Sequence, residues 1–240
     1  VEAKAGVVVT AAANTFSNTV AGIRLIGASP DSVINSGNTF NLNVADKTVI
    51  GVSVEYNSAT VADNVFNVAN NNLGADPTAT GGGYATNMPI YVWNTPGLSI
   101  AGNDFNYTGP ATTKQPAISL ITERVGDLAG TSGNVASATV ATISGTNTFD
   151  GFGKGVDAQG AAVNATINDN DFTNISWAGV SFNGAGNLSL SGNDFVGMGY
   201  MGVEAKAGVV VTATANTFSN TVAGIRLIAA SPDSVINGSN

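Results

Sequence analysis

The tripeptide Asn-x-Phe recurs along this chain in a fixed phase, and no other feature restricts its fold as much. It stands at Asn14-Thr-Phe16, Asn38-Thr-Phe40, Asn64-Val-Phe66, Asn103-Asp-Phe105, Asn147-Thr-Phe149, Asn170-Asp-Phe172, Asn193-Asp-Phe195 and Asn216-Thr-Phe218. Successive phenylalanines lie 24, 26, 39, 44, 23, 23 and 23 residues apart. A period near 23 residues with two longer gaps is the mark of a repeat architecture carrying insertions. A larger repeat encloses the short one. Val203–Asn240 reproduces Val1–Asn38 at an offset of 202 residues, with four differences. The phenylalanine gaps span that same offset, so the 202-residue unit is seven short repeats and its second copy begins in phase with the first.

A second signal keeps step with Asn-x-Phe. Most motifs are followed by Gly and then alternating apolar residues: Gly22-Ile-Arg-Leu, Gly51-Val-Ser-Val, Gly155-Val-Asp-Ala, Gly179-Val-Ser-Phe, Gly202-Val-Glu-Ala and Gly224-Ile-Arg-Leu. In the two long repeats proline stands at this place, in Pro89-Ile-Tyr-Val and Pro116-Ala-Ile-Ser-Leu. Alternation with period two predicts a short strand with one face buried. A further strand precedes the motif, as in Leu98-Ser-Ile-Ala, Ala165-Thr-Ile-Asn and Leu188-Ser-Leu-Ser.

Two or three short strands per repeat, always in one phase, fit a coil. Each repeat makes one turn, and turns stack so that like strands pair in parallel at about 4.8 Å. Every motif Phe then lies inside above the last, and every motif Asn sits in the same bend. Stacked asparagine amides can donate and accept along the axis. The glycine is expected to let the backbone turn sharply where the strand begins.

Composition agrees. Charged residues make up 10% of the chain, far below the usual ~25%, and no 3.6-residue apolar stripe suggests a helix. Val, Thr and Ile favour strands while Asn and Gly supply turns, so the chain reads as all-β. The formal charge of −8 and the lack of basic clusters argue against nucleic acid as a partner. No apolar run is long enough for membrane insertion as a helix. There is no cysteine and no histidine, which removes thiol and imidazole chemistry. The chain opens on Val-Glu-Ala-Lys with no leader-like segment, and the expectation is a processed or excised piece that shows no cap.

The pattern N-x-F, a short gap and G-[IV]-x-[LV] resembles the repeat of right-handed parallel β-helix proteins, a group that includes pectate-lyase-like enzymes, phage tailspikes and surface adhesins. The resemblance spans essentially the whole chain. It implies one continuous right-handed β-solenoid over residues 1–240, about seven coils of ~23 residues per unit. Two loops are expected to leave the coil, near residues 70–87 and within 108–141, and recognition would lie there if anywhere.

Several residues are candidates for chemistry. Pectate-lyase-like enzymes work with carboxylates and basic side chains on the outside of one sheet. The outward position of the Gly-led strands reads Arg24, Ser53, Tyr91, Ser119, Asp157, Ser181, Glu204 and Arg226. Asp157 and Glu204 stand two coils apart, roughly 9.6 Å, near the upper limit for an inverting pair. Glu204 beside Arg226 is more simply an exposed ion pair, and no catalytic residue is assigned. Asp171 and Asp194 share a motif position in successive coils with Asp169 beside them, so a Ca²⁺ with oxygen ligands could relieve their repulsion. The competing reading is that these carboxylates face water and accept turn hydrogen bonds. No other cofactor is expected. Thr10, Thr60, Ser99, Thr142, Thr166, Ser189 and Thr212 form a hydroxyl column of the kind some β-solenoids use to bind ice, although an exposed parallel sheet favours such residues in any case. Tyr91 and Trp93 project from one strand and are candidates for stacking on sugar rings, with Tyr56 and Trp177 elsewhere.

Taken together, these readings favour a structural protein: an extracellular or cell-surface filament, stalk or adhesin-like rod whose main partner is further copies of itself. Glycans or a cell surface are secondary partners. The alternative is a polysaccharide-binding or polysaccharide-degrading β-helix.

Overall fold

The computed structural model describes residues 1–4, 6–17, 19, 21–42, 50–56, 58–68, 88–109, 116–122, 138–160, 162–238 and 240. The expected loop at 70–87 lies outside them, as does most of the second insertion; the latter is interrupted by the strand Pro116–Ile121 and ends in the strand Thr139–Ser144. Among the described residues every regular element is a strand. Twenty-six strands form three parallel sheets of nine, nine and eight. Each coil gives one strand to each sheet, and neighbours within a sheet come from successive coils. In the first sheet, seven steps lead from Glu2–Lys4 to Met201–Lys206, so the unit is seven coils.

Left-handed backbone marks the corners of the coil. The residue before the ladder asparagine has positive φ at Ala13 (54°), Asp63 (54°), Thr146 (61°), Asp169 (55°) and Ala215 (54°). A second corner follows the strands of the first sheet, at Tyr56 (53°), Asn94 (47°) and Ala207 (57°). A third follows the Asn-x-Phe strands, at Asn174 and Asn220 (both 53°). Asn, Asp and Gly tolerate this region most readily, and Asp63, Asn94, Asp169, Asn174 and Asn220 fill half of these corners.

The interior is columnar. Phe16, Phe40, Phe66, Phe105, Phe149, Phe172, Phe195 and Phe218 stack with ring centroids 4.6–5.0 Å apart and interplanar angles of 4–8°. Beside them runs the asparagine ladder. Each side-chain amide donates to the Oδ1 of the next: Asn14 to Asn38 (3.0 Å), Asn38 to Asn64 (2.8 Å), Asn64 to Asn103 (3.0 Å) and Asn103 to Asn147 (3.0 Å). Asn147 donates to Asn170 (2.8 Å), Asn170 to Asn193 (3.0 Å), Asn193 to Asn216 (2.9 Å) and Asn216 to Asn240 (2.8 Å). The same Oδ1 atoms also accept the backbone N–H of the preceding ladder residue, as from Asn64 to Asn103 at 3.0 Å. These amides satisfy buried backbone groups at a bend where no strand partner exists.

The strand-leading glycines work differently from the sequence expectation. None of Gly22, Gly51, Gly155, Gly179, Gly202 and Gly224 has positive φ. They are glycines because a phenylalanine ring lies over them. A Cβ at Gly179 would stand 2.5 Å from the Phe195 ring, and one at Gly202 would stand 2.4 Å from Phe218. Proline does not replace them in both long coils either. Pro89 lies between the pairs Met88↔Ile50 and Ile90↔Val52 and so matches Gly51. Pro116 instead pairs with Lys154, which puts Ala117 at the glycine position.

The two copies of the 38-residue segment adopt the same strands. Thr15–Ser17, Ala21–Ile26 and Val33–Ile34 return as Thr217–Ser219, Ala223–Ile228 and Val235–Ile236. The second copy follows the coils before it through the unbroken strand Met201–Lys206, which pairs with Ala178–Asn183 of the coil below. One unit thus passes into the next without a linker.

Candidate functional site on the outer face of the first sheet

Residue pairing places Glu2, Arg24, Ser53, Tyr91, Ser119, Asp157, Ser181, Glu204 and Arg226 in one register column, as their spacing after the glycine position implied. The column is less exposed than expected. Ser53, Tyr91, Ser119, Asp157, Ser181 and Glu204 are all buried. On the same strands Met88 and Trp93 flank Tyr91, Lys154 and Gln159 flank Asp157, and Met201 and Lys206 flank Glu204.

Each carboxylate here is held by a cation. Asp157 accepts from Lys154 Nζ (2.7 Å) and Gln159 Nε2 (2.8 Å). Glu204 lies 2.5 Å from Lys206 Nζ and 3.3 Å from Arg226 Nη1. The expected exposed pair between Glu204 and Arg226 is therefore a pair with a buried carboxylate and a second cation. A Ser181 register position separates Asp157 from Glu204, and each acid is engaged within its own cluster.

Sequence reasoning missed Glu55. It is buried, accepts from Arg24 Nε (2.8 Å) and Nη2 (3.1 Å), and takes the Ser53 hydroxyl at 2.8 Å. The signal lay in the next outward column, two residues beyond Ser53. Arg24 also reaches Glu2 at 3.3 Å, and Lys4 reaches Glu2 at 2.8 Å, giving a chain of four charges. The hydrogen bond from Lys4 is the main cause that lowers the Glu2 carboxyl pKa, and the bond to Glu55 raises that of Arg24.

Tyr91 and Trp93 are not the exposed platform that the sequence suggested. They are 2% and 9% exposed and pack with Ile50 in a small apolar cluster outside the coil, with Met88 and Ile121 against it. The physical reason is lateral: Ile50 and Met88 pair in the neighbouring outward column, and Trp93 pairs with Ile121 beyond. Burial pushes the Tyr91 phenol well above its ordinary pKa. Tyr56 remains more open, with its ring centroid 4.7 Å from that of Trp93. Trp177 packs against Tyr200, a residue that sequence reasoning overlooked, with centroids 4.9 Å apart and planes tilted by 31°, and the Arg226 guanidinium carbon lies 5.9 Å from the Tyr200 centroid. Both aromatics stand one residue before a first-sheet strand, 23 positions apart, and that phase was the available signal.

The acidic bends do not converge. Asp171 and Asp194 are register partners and both exposed. Asp169 lies across the buried Asn170, in the left-handed corner, where Ala13, Gly102 and Ala215 occupy the same place in other coils. The Thr217 hydroxyl donates to Asp194, and the Thr148 hydroxyl donates to Asp104 at 2.8 Å. Among the described residues no three acidic side chains form a group able to hold a metal ion. The hydroxyl column is one register column from Thr60 to Thr212, but Val33 interrupts it after Thr10. An open groove of ≈ 320 Å³ along Pro30, Gly97, Val140 and Thr142 breaks its flatness.

Among comparisons with known proteins, residues 90–240 match the family model described as right handed beta helix region. No curated protein and no solved structure matches the chain. The matched segment covers well over half the chain, so the chain belongs to the right-handed β-helix family.

Proposed function

We propose that this chain is a section of a load-bearing β-helical rod, extended by further copies of its 202-residue unit and displayed outside the cell as a filament, stalk or adhesin. The observation that carries this reading is that the repeated segment 203–240 continues the sheets of the coils before it without a break. A module hung on a linker would start a new fold there; this chain instead continues the same three sheets, the same phenylalanine stack and the same asparagine ladder. Charges on the outer face of the first sheet are paired with one another, which suits a surface kept for stiffness and solubility.

The test is a protein with two full tandem units, viewed by electron microscopy beside the single-unit chain. Seven coils at ~4.8 Å add about 34 Å of axial length per unit, and the particle should remain a uniform rod. Two separately tumbling bodies, or no gain in length, would end this reading. Many in-phase copies in the full-length gene would support it.

A further inference from the structure

Three successive strands of the first sheet end on Gln159, Asn183 and Lys206, which share one register column. Asn183 closes the strand Ala178–Asn183, is exposed, and is followed into the corner by Gly184. A carboxamide one methylene from the main chain can reach the nitrogen of the next residue and close a five-membered ring. Gln159 also precedes a glycine, but its longer side chain would need a six-membered ring. The glycine after Asn183 is imposed by the stacking of coils. Gly184 has φ 131°, and a Cβ there would run into the Gly160 carbonyl of the coil below. No side chain therefore screens the Gly184 nitrogen. Its N–H is also loosely held. It donates to Lys206 O at 3.5 Å, at the edge of hydrogen bonding, whereas the matching bond from Gly160 to Asn183 O measures 3.1 Å.

We propose that Asn183–Gly184 is a spontaneous modification site, at which the folded chain converts its own asparagine to aspartate and isoaspartate. The Gly184 nitrogen attacks Asn183 Cγ. A new C–N bond closes a succinimide ring, and the displaced amide nitrogen leaves as ammonia with the proton from the Gly184 N–H. Water then opens the ring. Attack at Cγ restores the main chain and leaves aspartate; attack at the main-chain carbonyl leaves the chain running through the side chain, as isoaspartate. Either product sets a carboxylate opposite Lys206, the register partner whose Nζ lies on Glu204 Oε2, so one ammonium serves two acids. Opposite charges across a strand pair attract, which offsets the added charge. Isoaspartate also lengthens the main chain by one methylene at the last pair of the ladder, Asn183↔Lys206, and so loosens that corner. The reaction needs only water and runs one way, so the site records the time the folded chain has spent in solvent.

This inference does not depend on the rod reading. Its test is a time course on the folded 240-residue chain in mildly alkaline buffer made with heavy-oxygen water, followed by tryptic mass mapping in ordinary water. The label then marks conversion in the folded chain and not during digestion. Trypsin releases Gly155–Lys206 as one peptide, in which Asn164 precedes Ala and Asn187 precedes Leu and both serve as internal controls. Asn237–Gly238 falls in a different peptide. The expected result is exchange of the Asn183 carboxamide for a labelled carboxyl, several-fold faster than at Asn164 or Asn187, as a mixture of aspartate and isoaspartate. The rate should rise in proportion to hydroxide. Asn183→Gln should abolish the reaction with its circular dichroism unchanged. Asn183→Asp should melt close to the parent chain, and the isoaspartate fraction should melt below both. Conversion no faster than at Asn187, conversion only during digestion, aspartate without isoaspartate, or an isoaspartate fraction that melts with the parent would each overturn the proposal.

Discussion

Replacing one ladder asparagine in the middle of the stack should cost several times more than replacing the first. Asn170 is fully buried, and its amide donates to Asn193 Oδ1 (3.0 Å), Ile143 O (3.0 Å) and Asn168 O (2.8 Å). Its Oδ1 accepts the Asn147 amide at 2.8 Å and the Asn147 backbone N–H at 3.3 Å. Asn170→Ala leaves the Asn147 N–H and the Ile143 carbonyl short of a partner where water has no access. Asn193 Oδ1 keeps the backbone N–H of residue 170 at 3.2 Å. Two such groups at about 1–3 kcal/mol each predict a loss of about 2–6 kcal/mol. Asn14 is exposed and donates to Asn38 and Ala12 at the open edge. Water can replace those bonds, so Asn14→Ala should cost about 1 kcal/mol or less. Urea unfolding followed by circular dichroism, with linear extrapolation, measures both losses. Equal losses for the two variants, or a loss below about 1 kcal/mol for Asn170→Ala, would refute the argument that buried ladder amides are structural. Asn170→Asp adds a pH signature. A carboxylate facing Asn193 Oδ1 is disfavoured, so its folded pKa rises above the unfolded value. That variant should be most stable below about pH 4 and lose stability as pH climbs through the folded pKa.

Three further outcomes follow from the same geometry. Gly179→Ala puts a methyl group 2.5 Å from the Phe195 ring and should destabilise by about 1–3 kcal/mol. Combining it with Phe195→Leu should recover part of that loss, and a double-mutant cycle without coupling would contradict the packing role. Ala207 stands at φ 57° in a corner that other coils fill with Gly160 and Gly184, so Ala207→Gly should raise stability by about 1 kcal/mol, read as an upward shift in Tm. Tyr91 has a raised pKa from burial, so its contribution to stability is complete below the ordinary phenol range and is lost as pH rises through its folded pKa. An absorbance titration should show a late tyrosine ionisation that Tyr91→Phe removes and that coincides with alkaline unfolding.

The stacking of like residues was legible because the motif repeats in phase. Once Asn64 and Asn103 occupy the same place in successive coils, the ladder and the phenylalanine stack need no further information. Each insertion lengthens one gap without shifting the phase, as the pairs Phe66↔Phe105 and Phe105↔Phe149 show. The reason for the glycines was not legible in that way. Gly179 reads as a turn residue in its own strand, and only the ring of Phe195 above it reveals that space is what it supplies. Glu55 escaped notice for a related cause, since its partner Arg24 lies 31 residues away in another coil.

The sequence by itself determined the coil, its seven-fold count per unit, the inward columns and the seamless passage from one unit to the next. A local repeat translated along an axis places identical atoms over one another whatever the rest of the chain does. Only the tertiary structure decided what lies on the outside. Period-two alternation says that Tyr91, Trp93, Asp157 and Glu204 point away from the core, but not what stands beside them. Their burial depends on the bulk of neighbouring columns and on cations from adjacent coils, and lateral packing of that kind has no signature in the period of a single strand.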